Sequence, residues 1–257
     1  MTKKPKWVIE KEQDRRKAAA ETLWLFGLHA VRDALENPRR EKLRLVLTRN
    51  AADRLGQALA TGGIEPEIVD PRKFTAPLEP GSVQQGAALA GKPRDWGRRD
   101  TVCPTQDGAL AVLLDRVTDP HNVGAILRSA EVFGASAVIA PRRHAAPETG
   151  ALAKTASGAL ERQPYLRVPN LAQAMNELRE MGYVLIGLDG EGPVTLAEAR
   201  AAAGPRPIAL VLGAEGPGLR ALTRETCDHL ARIPFAGAFG SLNVSNAAAV
   251  ALYAMKG

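Results

Sequence analysis

The sequence has little cysteine, little histidine and no long apolar run. Its 257 residues hold only Cys103 and Cys227, far apart and with no C-x-x-C pair or Cys/His cluster beside them. That spacing gives neither a disulfide framework nor a zinc site, so no metal is expected, and a reduced, cytoplasmic setting fits best. No apolar segment approaches the ~20 residues that span a bilayer, and Met1 to Lys17 is charged where a secretory leader needs an apolar stretch, so no membrane is expected. No G-x-G-x-x-G fingerprint is present, because Gly213 to Gly218 has the wrong spacing. The four histidines, His29, His121, His144 and His229, fall near helix starts, in a basic loop and at a strand start, where structural or solvent-facing roles suffice.

Acidic residues are also the minority. Lys+Arg number 34 against 28 Asp+Glu, a net charge of +6, which favours a polyanionic partner. Hydrophobic content of 45% with 24% charge is ordinary for a globular chain and allows two domains.

Read in order, residues 1–22 set Lys3, Lys4, Lys6, Lys11, Arg15, Arg16 and Lys17 against Glu10, Glu12, Asp14 and Glu21. This is a flexible basic arm or simply a solvated tail. Residues 23–90 alternate short apolar units: strands over 24–26, 43–48, 65–70 and 84–90, helices over 29–36 and 51–60. They make a small α/β domain. Residues 91–107 combine breakers with four basic side chains and read as a linker, in which Trp96 either anchors on a domain or stacks on a base. Residues 108–257 alternate strands (109–117, 135–140, 165–168, 183–188, 208–213, 230–234) with helices (120–133, 149–160, 171–181, 218–227, 241–255). Apolar strands separated by helices predict a parallel sheet covered on both faces.

Three stretches could carry chemistry. Asp119-Pro120 is a good helix start, after which Asn122, Arg128 and Glu131 project from a helix whose Val123, Ile126, Leu127, Ala130 and Phe133 form a core face. Arg128 and Glu131, three apart, could simply pair on the surface. Leu210 to Gly218 is an apolar strand running into a glycine turn with one carboxylate, Glu215. Ile233 to Ser245 leaves a strand, crosses a Gly-rich loop and enters an alanine-rich helix with Ser241, Asn243 and Ser245 at its start. Ser241 and Asn243 could serve only as helix-start residues. Two glycine loops at strand ends, each followed by a helix, are the usual place for a ligand in an open α/β sheet.

The order of these stretches resembles the SpoU (TrmH) branch of the SPOUT methyltransferases. The matching residues are Asp119-Pro-x-Asn122-x-Gly124 with Arg128, Ser129, Ala130 and Phe133-Gly134, then Gly213-x-Glu215-Gly216-x-Gly218, then Ile233-Pro234 through Ser241-Leu-Asn-Val-Ser245. Residues 23–90, with Phe26-Gly-Leu-His-Ala-Val31 and Val83-Gln-Gln-Gly86, are similar to the L30e-like substrate-binding domain of many members. Gln84 stands where the ribosomal-RNA members usually carry histidine. The resemblance implies a deep C-terminal trefoil knot, a homodimer, and methyl transfer from S-adenosylmethionine to a ribose 2′-hydroxyl in RNA, and the likeness of the N-terminal unit makes a guanosine of 23S rRNA the expected substrate. It places Arg128 beside the hydroxyl, Asn122, Glu215, Ser241 and Asn243 around it, and the methyl donor on backbone groups of Gly213, Ile233 and Leu242. Readings that stay open are a tRNA substrate, a non-catalytic RNA-binding protein on the same fold, and an enzyme acting on a small nucleotide.

Overall fold

A computed structural model of the chain describes residues 22–74, 76–78, 84–237 and 241–256. The basic arm expected over 1–22 lies almost wholly outside the described residues, as do Val83 and part of the glycine loop before Ser241. Contacts divide the chain into two compact units, one reaching to Asp95 and including Glu148–Lys154, the other formed by Trp96–Pro147 and the chain from Thr155 onward.

The first unit contains β1 (Leu23–Phe26), α1 (Leu28–Glu36), β2 (Lys42–Leu47), α2 (Arg49–Thr61), β3 (Pro66–Ile68) and β4 (Ala87–Gly91). The strands lie in the order β1-β4-β2-β3, with β4 antiparallel to both neighbours and β2 parallel to β3. These are the expected elements with shifted ends. Thr48 starts α2 by accepting from the Ala51 N–H at 3.3 Å, and Gly56, at φ 46°, kinks the helix midway. Gly27 cannot cap α1, and the Leu28 N–H is met instead by Gln85 Oε1 at 3.1 Å.

In the second unit a four-residue helix, α3 (Arg99–Val102), lies inside the stretch read as a linker. It is followed in the chain by β5 (Leu110–Asp115), α4 (Pro120–Val132), β6 (Ala137–Pro141), α5 (Gly150–Ala156, of which the part up to Lys154 belongs to the first unit), β7 (Tyr165–Val168), α6 (Leu171–Glu180) and β8 (Val184–Leu188). Next come β9 (Val194–Thr195), α7 (Leu196–Ala203), β10 (Ile208–Gly213), α8 (Ala221–Thr226), β11 (His229–Arg232) and α9 (Val244–Lys256). Seven strands form one sheet in the order β7-β6-β5-β10-β8-β11-β9, and every described pairing is parallel.

Successive strand residues face opposite sides of a sheet. On β5, Ala111 and Leu113 join the cluster beneath α6 with Leu171, Ala174, Met175 and Leu178, while Val112 and Leu114 on the other face are equally buried. Both faces are therefore covered, which is why these strands read as unbroken apolar runs. Each fully buried leucine contributes about 1.5–3 kcal/mol. α4 packs along α9, with Ile126, Leu127, Ala251 and Leu252 all fully buried.

Three expected helices need correction, and two elements are additional. The helix expected over 149–160 stops at Ala156, because Ser157 (φ 50°) and Gly158 (φ 88°) take left-handed conformations and a 3-10 turn follows. The last helix begins at Val244 rather than Ser241, and the helix expected over 218–227 covers only Ala221–Thr226. β9 and α7 were not anticipated at all. Yet Thr195-Leu-Ala-Glu198 is a capping box: the Thr195 N–H donates to Glu198 Oε2 at 2.6 Å and the Glu198 N–H to Thr195 Oγ1 at 3.2 Å.

Candidate active site

β5, β8, β10 and β11 end on one edge of the sheet, and the segments leaving them form the site. Asp119 fixes the start of α4, accepting from the His121 N–H at 3.1 Å and the Asn122 N–H at 3.3 Å, with Pro120 at the first helical position. Asn122 is thereby held in the first turn, 9% exposed. Its Nδ2 donates to Glu215 Oε1 at 3.2 Å, and its Oδ1 accepts from Asn243 Nδ2 at 3.0 Å. Asn243 Nδ2 also donates to Glu215 Oε1 at 2.5 Å, and the Val244 N–H does so at 3.4 Å. Three donors thus converge on one carboxylate oxygen. Among the described residues Glu215 Oε2 has no recorded partner, so it is the oxygen that can accept from a ligand.

Asn243 serves two ends. Its Oδ1 accepts from the Ser245 N–H at 2.9 Å and from the Ser245 hydroxyl at 2.5 Å, which caps α9. That bond fixes the amide orientation and leaves Nδ2 to face Glu215. The helix-start role and the site role are therefore the same geometry.

The glycine turn after β10 is held from three sides. The Ala214 N–H donates to Gly218 O at 3.2 Å and the Gly218 N–H to Ala214 O at 2.9 Å. Gly216 and Gly218 take φ of 82° and 67°. Asp115, wholly buried at the end of β5, accepts from the Arg220 N–H at 3.0 Å and from Arg220 Nε at 2.6 Å. As a result Gly213 lies so close to Gly218 and Leu219 that a β-carbon on it would stand 2.2 Å from the Gly218 carbonyl carbon.

A cavity of about 230 Å³ opens beside this turn. Gly213, Glu215, Ile233, Ser241 and Leu242 line it, so five of the eight residues singled out in the sequence meet there, and Asn122 and Asn243 reach it through Glu215. Ser241 is exposed and makes no hydrogen bond among the described residues, so it does not act as a cap. Arg128 is not brought into the cluster. It is exposed on α4 with no recorded partner among the described residues, and it does not pair with Glu131, which takes Arg162 instead, with Nη2–Oε2 at 3.3 Å. Sequence reasoning missed Leu188, Asp189 and Phe235, which also line the cavity. The Leu-Asp-Gly that ends the apolar strand β8 was the available signal, since ligands lie beyond the carboxyl ends of such strands.

The walls suit an adenosine-type ligand: Leu188, Leu212, Ile233, Leu242 and Val244 are apolar, and the glycine turn presents bare backbone. Fold and site thus define an open parallel α/β protein with a glycine-walled nucleotide-type cavity at the carboxyl ends of β8, β10 and β11. The chain belongs to the SpoU rRNA Methylase family, whose model matches residues 109–253, and the RNA 2′-O ribose methyltransferase substrate binding model matches residues 24–96. Among relatives, the 23S rRNA (guanosine-2′-O-)-methyltransferase RlmB of Vibrio vulnificus (strain CMCP6) is 39% identical over 237 residues, 90% of this chain and 94% of the relative. RlmB of Escherichia coli (strain K12) is 37% identical over 236 residues, 89% and 96% of the two chains. The structure of the SpoU methyltransferase AviRb from Streptomyces viridochromogenes in complex with the cofactor AdoMet superposes with a TM-score of 0.78 at 26% identity, covering 93% of this chain and 91% of that one.

Proposed function

We propose that this chain methylates the ribose 2′-hydroxyl of a guanosine in 23S rRNA, using S-adenosylmethionine, as a cytoplasmic homodimer. The observation that carries the reading is the convergence of Asn122, Asn243 and the Val244 N–H on Glu215 Oε1 beside the glycine-walled cavity. The relatives named above carry that activity in their names, and they align over nine-tenths of this chain.

S-adenosylmethionine supplies an electrophilic methyl group, and backbone groups of Gly213, Ile233 and Leu242 are the residues assigned to hold it. A ribose hydroxyl is a poor nucleophile at neutral pH, so it must be aligned and its proton taken. Glu215 Oε2 faces that task, with Oε1 anchored by the two asparagines. Ser241, on the cavity wall, orients the hydroxyl or the donor. A guanidinium stays protonated to above pH ~12, so Arg128 stabilises the developing alkoxide or the adjoining phosphate rather than acting as the base.

The homodimer is supported by two unpartnered stripes. On α4, Ala125, Arg128 and Val132 recur at helical spacing on the solvent side, and Val132 is 71% exposed. On the adjoining α9, Val250 and Tyr253 are 44% and 71% exposed, and the Tyr253 ring meets Phe133 edge-on at 6.1 Å. Joining two such faces would bury them and set Arg128 where the copies meet. The trefoil knot is part of the same proposal, supported by the chain's membership of the SpoU rRNA Methylase family. Residues 23–90 would present the RNA, and the basic 1–22 would add phosphate contacts.

The test is methyl transfer from labelled S-adenosylmethionine to unmodified 23S rRNA and, separately, to bulk tRNA. Label on an rRNA guanosine ribose, reduced roughly 10²–10³-fold by Arg128→Ala, is expected. Label on tRNA alone would keep the chemistry and overturn the substrate. Donor binding without label on either would overturn the enzyme.

A further inference from the structure

A second cavity, of about 270 Å³, lies on the same edge of the sheet, across β5 from the donor cavity. Arg116, Arg143, His144 and Arg220 line it, with Asn170 and Thr223. Arg116 follows the end of β5, Arg143 and His144 follow β6, and Asn170 leads from β7 into α6. No carboxylate lines it. The acid adjoining Arg116 in the chain, Asp115, is wholly buried and already engaged by Arg220.

The basic groups are held in place rather than left on a loose loop. The Arg167 guanidinium donates to the carbonyls of Pro141 (3.2 Å), Arg142 (2.7 Å) and Ala146 (2.9 Å), and the Tyr165 hydroxyl donates to Ala146 O at 2.8 Å. One arginine therefore clamps both ends of the loop that carries Arg143 and His144. Arg142 is used in the same clamp, donating to Arg167 O at 3.3 Å. Arg116 and His144 take left-handed backbone conformations, φ 62° and 57°, which side-chain-bearing residues adopt only at a cost. Arg116, Arg143 and His144 have no recorded hydrogen bond or ion pair among the described residues. The first turn of α6 adds its partial positive charge. Arg220 is already committed to Asp115, which leaves the Arg116 and Arg143 guanidiniums as the unpaired positive charge of the cavity, an arrangement that suits an anion.

We propose that this cavity takes a phosphodiester group of the RNA strand whose ribose enters the active site. The inference rests on the function proposed above. β6 and β10 are two strand spacings apart, roughly 10 Å, which puts the basic cavity within reach of a phosphate flanking the reacting ribose. Arginine forks match phosphate oxygens, and such contacts fix the register of a nucleic acid without reading its bases.

Arg143→Ala, Arg116→Gly and the double variant test it. Glycine keeps the left-handed backbone at position 116 without strain, and Arg143 is exposed, so both variants should fold. Binding of an in-vitro-transcribed 23S rRNA fragment that accepts methyl is measured at several salt concentrations, together with KM and kcat for that RNA and calorimetric binding of S-adenosylmethionine. Each substitution should weaken RNA binding and raise the RNA KM about tenfold. Each should also reduce the slope of log K against log salt by about 0.7–0.9. Turnover at saturating RNA and donor affinity should stay within about twofold. An unchanged slope and KM, with Arg128→Ala still inactive, would overturn this inference and leave the proposed function standing. Inorganic phosphate competing at the site in a way the variants abolish, with RNA affinity unchanged, would make it a free-anion site and overturn it too. A wild-type protein that neither binds nor methylates rRNA would overturn both.

Discussion

Gly213→Ala should damage stability and donor binding together. The added β-carbon would stand 2.2 Å from the Gly218 carbonyl carbon, 2.4 Å from the Leu219 nitrogen and 2.5 Å from the Gly218 oxygen. Carbon contacts are comfortable at about 3.5–4 Å, so the two backbones must part by more than about 1 Å. All three obstacles are main-chain atoms, so no side chain can swing away. The turn is moreover pinned by the paired Ala214–Gly218 hydrogen bonds and by Asp115 on Arg220. Overpacking of this kind costs about 1–3 kcal/mol, and strain on two hydrogen bonds adds about 1 kcal/mol each at most. Taking about 3 kcal/mol at about 2–4 °C per kcal/mol for a chain of this size, the melting temperature should fall by about 6–12 °C. At a hundred times its dissociation constant the donor stabilises the wild type by about 2.7 kcal/mol, and a tenfold loss of affinity would reduce that increment to about 1.4 kcal/mol. Differential scanning calorimetry with and without S-adenosylmethionine reads both quantities. Gly190→Ala is the control: Gly190 also lines the cavity, but its β-carbon would meet nothing within 4 Å, so no change is expected. A Gly213→Ala protein that melts within about 2 °C of wild type and keeps its full donor increment would refute the tight approach.

Asn243→Asp retains the oxygen that caps α9 but sets a second carboxylate against Glu215 Oε1. Circular dichroism should stay unchanged while kcat falls roughly 10²-fold, and near-normal turnover would show that Nδ2 is dispensable. Asp115→Asn removes the buried charge under Arg220 and should cost about 1–3 kcal/mol, read as a lower melting temperature with weakened donor binding in calorimetry. Burial pushes the Cys103 thiol up to about 11, the Cys227 thiol up to about 12 and the Tyr183 hydroxyl up to about 12. The folded state holds these groups neutral. Their contribution is therefore complete below pH 9, the ordinary thiol value, and is lost as pH rises from 9 through 11 to 12, about 1.4 kcal/mol per group per pH unit at most. Urea midpoints should be level from pH 7 to 8.5 and fall steeply above 9, and rapid labelling of either thiol at pH 8 would contradict the burial argument.

Much of the parallel sheet was legible because its strands are buried on both faces and read as plain apolar runs, as Leu110 to Leu114 and Ile208 to Leu212 do. α7 escaped notice because its alanine-rich sequence shows little periodicity, and its real marker, the Thr195–Glu198 capping box, is four residues long. The break after Ala156 was hidden by Ser157, which takes a positive φ that its residue type does not advertise. In the site, Asn122, Glu215 and Asn243 could be singled out, but their convergence on one carboxylate oxygen could not, since it depends on contacts across 93 and 28 positions of chain. Arg128 lies outside that convergence for a physical reason: within one chain its stripe on α4 faces solvent.

The Glu215 cluster is completed only by the last helix. Its donors come from the first turn of α4 and the first turn of α9, so the carboxylate finds them only after the sheet has assembled and the last helix has docked. A chain whose final segment is detached, clipped or still being synthesised would keep most of its core and yet lack two of the three donors. Methyl transfer would then report on completed folding as directly as any spectroscopic probe, and a half-finished molecule could not modify RNA prematurely.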